Sequence, residues 1–160
     1  MANIRIGSLP TYTGDTTGAY LVMNDSGNTT TYKVLTDDVA NNIGVLGITI
    51  DGAGSVITTG LKGYLVVPYD ATIESWSVVA DTTGSIVLDV WKSSSYTIPG
   101  SAADSIAGTE KPTLSSQQIN TDLSLTTWTT SLLVGDVIGF NVDSASTITR
   151  ATIEIKVKKL

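Results

Sequence analysis

Residues 150–158 have the sequence RATIEIKVK, in which apolar and polar side chains alternate without a break. Ala151, Ile153, Ile155 and Val157 fall on one side of an extended chain, and the charged and hydroxyl side chains fall on the other. Because successive side chains of a strand point to opposite faces, this period of two predicts a strand with one buried and one solvated face. An antiparallel sheet is therefore the expected framework.

Other short apolar and β-branched runs predict further strands, separated by Gly, Pro, Asn and Asp. They lie at 45–50, 62–69, 72–80, 85–92 and 137–142, the last two with core faces at alternate positions. The tetrapeptide Asp81-Thr82-Thr83-Gly84 is expected to turn the chain between two of these strands. The polar stretch 93–124 contains two prolines and is predicted to be a long loop, in which 102–106 is a candidate short helix. A loop of this length in a compact domain usually has structure of its own or a function.

The composition also favours strands over helices. The chain has 25 Thr and 17 Ser among 160 residues, and only three Glu. The branched Cβ of Thr suits a pleated, half-buried surface, whereas the strong helix formers Glu, Lys, Gln and Arg are scarce. We expect an all-β protein.

Two blocks are predicted, at 1–43 and 44–160. In the first block, the runs 19–23 and 29–35 flank a cluster of Asn, Asp, Ser and Gly, which predicts a hairpin with a loop longer than two residues. Thr36 followed by two aspartates predicts a single helical turn. A hairpin and one turn of helix bury too little apolar surface to be stable alone, so this block needs a partner surface.

Several classes of function are disfavoured. The chain has no Cys and no His, which excludes disulfides, Ser-His-Asp and Cys-His triads and the usual zinc sites. Its net charge is −6, and no basic stripe or long apolar run is present, so we expect neither nucleic acid nor a membrane as a partner. We expect no cofactor, no metal and no enzymatic activity. The one catalytic alternative is a glycosidase that uses Asp89 and Asp136 as its carboxylate pair.

Aromatic residues are few, which makes each a candidate for a binding surface. Trp76 alternates with Val78 and is expected in the core. Trp91 lies on the strand face opposite the apolar set, so it belongs either to a second interface or to a ligand groove. Trp128 is a candidate for either core or groove, and Tyr96 is expected to be exposed in the long loop. Sugars stack on exposed aromatic rings, so Trp91, Tyr96 and Trp128 are the candidate ligand or interface aromatics.

Many short motifs are spread over residues 58–158: GLKGY at 60–64, VPY at 67–69, ATI at 71–73, GSIVLDVWK at 84–92, ADSI at 103–106, KPTL at 111–114, LTTW at 125–128, GDV at 135–137 and FNVDSA at 140–145. Together they resemble a β-sandwich module of bacteriophage and prophage virion proteins. The resemblance implies a jelly-roll-like antiparallel sandwich on phage fibres and appendages, normally trimeric. It implies no catalytic residues.

The first block carries IGSLP at 6–10, AYLV at 19–22 and TYKVLTDDV at 31–39. These motifs resemble the short N-terminal module of phage fibre proteins, whose N-terminus usually attaches the appendage to the particle. The resemblance implies an N-terminal extended arm and hairpin module that holds the protein on the virion. The candidate anchoring residues are Ile4, Arg5, Ile6, Leu9 and Pro10, which would pair as extended backbone with a neighbouring protein.

These implications lead to one expected function and one alternative. We expect a head fibre or capsid decoration protein, a homotrimer assembled in the host cytoplasm and located in the virion. Its partner would be the major capsid protein or another virion protein. The alternative is a tail fibre or receptor-binding protein whose aromatic residues recognise a host surface glycan.

Overall fold

The structure, a computed structural model, describes residues 20–24, 31–35 and 42–160. The chain forms two compact units, Met1–Asn41 and Asn42–Leu160. In the first unit, β1 (Tyr20–Asn24) pairs antiparallel with β2 (Thr31–Leu35), with Tyr20 opposite Leu35 and Asn24 opposite Thr31. This is the hairpin that the turn-forming cluster predicts. The expected helical turn after Thr36 lies outside the described residues.

The second unit is all-β and antiparallel, as the composition predicts. Its strands are β3 (Ile43–Asp51), β4 (Gly60–Val66), β5 (Ala71–Ser93), β6 (Thr113–Asp122), β7 (Ser131–Leu132), β8 (Val137–Ser146) and β9 (Arg150–Lys159). They are hydrogen-bonded in the order β3-β9-β5-β8-β4, and β6 and β7 also pair with β5. The strand β5 is therefore the centre of the sheet.

The sheet curls because the two halves of β5 pair with different neighbours. Residues 71–80 pair with β9, and residues 85–93 pair with β8. Strand β6 follows β5 across the bend and pairs with both halves. At the two ends of the sheet, Ile48 of β3 lies beside Gly63 of β4, where an added Cβ would be 3.5 Å from the Ile48 Cδ1.

The predicted turn at 81–84 is wrong, because the chain stays extended through all four residues. The turn-forming side chains are used in tertiary contacts with the β8–β9 connection instead. Asp81 accepts hydrogen bonds from the Thr149 backbone N–H and hydroxyl. Gly84 lies so close to Thr147 and to the Ser146 carbonyl that a Cβ would clash with both. Contacts distant in sequence thus keep this segment extended.

The stretch 93–124 does have structure of its own, because it contains the ten-residue strand β6, which the sequence did not predict. The sequence of β6 includes Ser-Ser-Gln-Gln at 115–118, so it lacks the apolar alternation that marks a strand. Its extended conformation comes from pairing with β5. The candidate helix at 102–106 is a short 3₁₀ turn, Ala102–Asp104, and Ser101 and Asp104 form a capping box at its start.

The inward side chains of β5, β8 and β9 form one apolar core, as their alternation predicts. Its members include Val78, Ile86, Leu88, Val90, Ile138, Phe140, Val142, Ile153, Ile155 and Val157, all at most 1% exposed. Trp76 also belongs to this core, as expected. A register shift between Ile73 and Ser75 reverses the alternation, so both Ile73 and Trp76 point inward although they are an odd number of residues apart.

Two leucines test this packing directly. Leu88 is completely buried, and Leu123 is 77% exposed. We expect Leu88→Ala to lower the free energy of unfolding by about 2–5 kcal/mol, because it removes buried methyl groups and leaves a cavity. The matched variant Leu123→Ala should change it by less than about 0.5 kcal/mol. Urea unfolding followed by tryptophan fluorescence measures both values, and equal effects would contradict this core.

Candidate functional site

The second half of β5 and the neighbouring β8 carry polar side chains on the face opposite the core. Asp89 alternates with the buried Leu88 and Val90, and it lies opposite Asn141 in the register. The segment 94–112, between β5 and β6, covers part of this face: its Pro99 packs on Gly139 of β8. Asp89 is consequently completely buried although it faces away from the core.

Asp89 belongs to a cluster of five polar side chains, here called the Lys111 cluster: Asp89, Ser105, Lys111, Asn141 and Asp143. The Lys111 Nζ lies 2.9 Å from the Asp89 Oδ2 and 2.7 Å from the Asp143 Oδ2. The Ser105 hydroxyl donates a hydrogen bond of 2.6 Å to the Asp89 Oδ1, and the Asn141 Nδ2 donates one of 2.7 Å to the Asp143 Oδ1. Two carboxylates thus face one ammonium group.

Backbone hydrogen bonds bring Lys111 to this position. The Ile106 N–H donates to the Val90 carbonyl at 2.8 Å, and the Leu88 N–H donates to the Pro112 carbonyl at 2.9 Å. Residues 105–112 therefore continue along the edge of β5 beyond the end of β6. Ser105 and Lys111 project from this segment toward Asp89 because both ends of it are fixed to the same strand.

The electrostatics of the cluster are set by the burial of Asp89. A buried carboxylate is costly unless a cation and hydrogen-bond donors compensate it, which Lys111 and Ser105 do here. The hydrogen bond to Asp143, and then the neighbouring Asp89, raise the pKa of Lys111 above its usual value. The stabilisation from this lysine is therefore complete at pH values below the usual lysine pKa, and it is lost as the pH rises through the raised one.

Asp136 and Asp89 do not form a glycosidase pair in this structure. Asp136 is 2% exposed, and its Oδ2 accepts hydrogen bonds from the Lys92 Nζ at 3.2 Å and from the Leu133 N–H at 3.0 Å. Along β8 it precedes Asn141, the residue opposite Asp89, by five positions, which is about 16 Å of extended chain. Glycosidase carboxyl groups are about 5–9.5 Å apart, and each aspartate here has its own lysine.

Two of the three candidate aromatics are buried within the unit. Trp91 is 9% exposed and Trp128 is 7% exposed. The Trp128 Nε1 donates to the Glu110 carbonyl at 2.9 Å, whereas the Trp91 Nε1 is buried without a partner among the described residues. Neither indole presents an open face. Tyr96 is 71% exposed, as expected for a residue of the long loop.

Two segments that meet at Gly135 carry four exposed apolar side chains, here called the apolar end: Tyr96, Ile98, Leu133 and Val134. Their exposed fractions are 71%, 62%, 56% and 58%. The Tyr96 N–H donates to the Gly135 carbonyl at 2.8 Å, and its ring lies against Gly135, where an added Cβ would be 2.9 Å from the Tyr96 Cε2. The glycine thus lets the tyrosine pack beside the turn that carries Leu133 and Val134.

Other features of the described residues add little chemistry. An open depression of about 230 Å³ is lined by residues 50–53 and 55–58 and by Lys62, whose Nζ donates to the Thr58 hydroxyl and the Thr59 carbonyl. No group of three or more acidic, His or Cys side chains in the described part could hold a metal ion. None of its helices has the length and hydropathy to cross a bilayer. The anchoring candidates Ile4, Arg5, Ile6, Leu9 and Pro10 lie outside the described residues.

Comparisons of the chain with protein-family models, with curated proteins and with solved structures find no match.

Sequence reasoning singled out Asp89 in this site but not its partners. Lys111 and Asp143 are far from Asp89 in sequence, and nothing local marks them as its neighbours. Lys111 does lie in the motif KPTL at 111–114, and Asp143 lies in the motif FNVDSA at 140–145.

The cost of leaving Asp89 unpaired can be measured. We expect Lys111→Met to lower the free energy of unfolding by about 3 kcal/mol, because it leaves a buried carboxylate without its cation. The matched variant Lys156→Met breaks an exposed ion pair with Glu74, 3.0 Å long, and should cost less than about 1 kcal/mol. Urea unfolding compares them, and a Lys111 variant as stable as the Lys156 variant would contradict this account.

The Glu110 carboxylate makes the stability of the fold depend on pH in the acid range. It accepts hydrogen bonds from the Thr126 hydroxyl and from the backbone and hydroxyl groups of Thr127, and the Thr126 bond is the largest cause that lowers the pKa of Glu110. Stabilisation by a lowered carboxyl pKa is complete above the usual value and is lost as the pH falls through the lowered one.

We therefore expect Glu110→Gln to be less stable than the wild type at pH 7, and the difference to shrink as the pH falls below the usual glutamate range. Thermal unfolding between pH 7 and pH 2.5, followed by tryptophan fluorescence, measures this, since Trp128 is bonded to the same residue. A difference that stays constant over that range would contradict the role of the ionised carboxylate.

Proposed function

We propose that the chain is a non-enzymatic bacteriophage virion structural protein, a head fibre or capsid decoration protein that assembles as a homotrimer. In this proposal, residues 44–160 are a jelly-roll-like β-sandwich that projects from the particle. The N-terminal arm, with Ile4, Arg5, Ile6, Leu9 and Pro10, attaches the protein to the major capsid protein or another virion protein. The mechanism is burial of surface and pairing of backbone rather than chemistry.

The observation that carries the proposal is the apolar end. Its four side chains are each more than half exposed, yet the core of the same unit is fully packed. Contiguous exposed apolar surface on a folded domain usually marks a site of association with another macromolecule. A protein that assembles with other virion proteins would bind them through such a surface. The motifs at 58–158, which resemble phage virion proteins, support assembly of this kind.

The face of the sheet that points away from the core, around the first half of β5, supports a role as an exposed module. The Thr49 and Thr152 hydroxyls are 2.9 Å apart, and the Ser77 and Thr121 hydroxyls are 3.1 Å apart, each across neighbouring strands. Such cross-strand pairs stabilise a sheet while they leave its surface polar. The exposed charged side chains of Arg150, Glu154 and Lys156 alternate with Thr152 along β9, so this face is polar and compatible with water, as a displayed domain needs.

The trimer can be tested in solution. Sedimentation equilibrium should give a mass about three times the 16.7 kDa of the chain. We expect the double variant Leu133→Ser/Val134→Ser to sediment as a monomer, because it removes apolar area from the association surface. Val56→Ser changes another exposed valine in the connection after β3, and should leave the trimer intact. A monomeric wild type would contradict the proposal.

Attachment can be tested on particles of a phage that encodes the chain, prepared without it. Full-length protein should co-sediment with these particles, and a variant lacking residues 1–10 should fold but remain in the supernatant. Electron cryomicroscopy of decorated particles should show density at local threefold positions of the capsid. Particle binding by the shortened variant would refute the anchor, and density confined to the tail would refute the head location.

One observation favours a second candidate, a tail fibre that binds a host surface glycan. The Tyr96 ring is 71% exposed and is supported from below by Gly135, so one aromatic face is open to a sugar. A glycan array probed with the wild type and with Tyr96→Ala distinguishes the two functions. A signal that the substitution removes would favour the tail fibre, and an array without signal would favour the structural role.

A further inference from the structure

We propose that the side chains of Lys111 and Asp89 condense into an intramolecular isopeptide bond, which joins β5 covalently to the segment that precedes β6. The inference rests on the Lys111 cluster alone and does not depend on the proposed function. The bond would be an amide between the Lys111 Nζ and the Asp89 Cγ, formed with release of one water molecule.

The two reacting groups already touch. The Lys111 Nζ lies 2.9 Å from the Asp89 Oδ2. That oxygen is buried, and no donor in the described residues makes a well-directed hydrogen bond to it. The amine is thus held against the carboxyl group by its ion pair with this oxygen. The carbon that the nitrogen would attack, the Asp89 Cγ, is one bond beyond this oxygen, so a small shift of the amine brings the two reacting atoms to the separation of about 3–3.5 Å that favours an intramolecular reaction.

The cluster also supplies the two other groups that an amide-forming reaction needs. Asp143 lies 2.7 Å from the same nitrogen and can accept its proton. The Ser105 hydroxyl donates to the Asp89 Oδ1 at 2.6 Å, and this oxygen would carry the negative charge when the amine adds to the carboxyl carbon. Asn141 is a positioning residue, because it holds the Asp143 carboxylate from the side away from Lys111.

The step balances without a co-reactant. The ammonium group of Lys111 passes one proton to Asp143, which returns it to the Asp89 Oδ2, and the neutral amine then forms the Nζ–Cγ bond. A second proton leaves the nitrogen through Asp143 as the Cγ–Oδ2 bond breaks, and Oδ2 departs as water. Asp143 ends as the carboxylate it was at the start. The ion pair of Lys111 and Asp89 has become a neutral amide, and the charge of the chain is unchanged.

Burial favours the product. Asp89 is completely buried, so water has little access to the bond once it forms, whereas Lys111 and Asp143 are each 32% exposed at the side chain and offer the released water a way out. Replacing the buried Asp89 carboxylate with a neutral amide also removes the desolvation penalty of that charge. Asp143 is the less suitable partner for Lys111 because solvent reaches its carboxyl group.

Intact-protein mass spectrometry of the full chain is the decisive measurement. We expect a mass 18 Da below that of the sequence. Trypsin should then release residues 63–92 and 93–150 as one branched peptide, because Lys111 precedes Pro112 and is not cleaved. Loss of water at the Asp51-Gly52 sequence would give the same intact mass, but it would leave these two peptides separate.

Three variants complete the test. Lys111→Arg keeps the positive charge but cannot condense, so it should show the full sequence mass and a melting temperature lower by about 5–10 °C. Asp143→Asn keeps both reacting groups but removes the proton acceptor, and the linked fraction should fall at least tenfold. Lys156→Arg is the matched control and should remain linked.

Two results would overturn the inference, and a third would overturn the role assigned to Asp143. A wild-type mass equal to that of the sequence means that the bond does not form. A water loss mapped to Asp51-Gly52, or to a link between Lys111 and Asp143 within 93–150, means that the bond is elsewhere. A linked Asp143→Asn variant at the wild-type level would remove the role assigned to Asp143.

Discussion

The continuous hydrogen bonding of β5 is the constraint on which the rest of the second unit depends. Its 23 residues pair with β9 in the first half and with β8 in the second, so one strand belongs to both halves of the curled sheet. At the bend, Asp81 binds Thr149, and Gly84 leaves room for the chain at 146–147. A side chain at 84, or the loss of the Asp81 carboxylate, would act on both halves together.

The same strand explains why a charge is buried outside the core. Strict alternation along the second half of β5 sends Leu88 and Val90 inward, and it must therefore send Asp89 and Trp91 outward. The covering segment 94–112 then encloses these two side chains. Asp89 needs a cation that can reach it under this cover, and Lys111 provides one because the Pro112 carbonyl is tied to the Leu88 N–H.

Sequence patterns predicted the parts of the fold that depend on one strand at a time. The alternation of β9, the core faces of β5 and β8, the β1–β2 hairpin and the buried Trp76 all follow from local periodicity or turn chemistry. The strand β6 and the extended conformation of 81–84 depend on contacts with distant residues, which periodicity does not contain. The Lys111 cluster was missed for the same reason, since it joins three separate stretches of the chain.

The Lys111 cluster and the apolar end are connected by the segment 94–112, which is fixed at both of its ends. Residues 105–112 are fixed along β5, and the chain between them and the end of β5 carries Tyr96. Ser95 and Tyr96 both have positive φ angles, 54° and 59°, which cost side-chain-bearing residues about 1–2 kcal/mol each. That strain persists because the Tyr96 N–H is bonded to Gly135 and the far end of the segment is held by the cluster. A surface held in this way is already ordered, so a partner that docked on it would lose less conformational entropy.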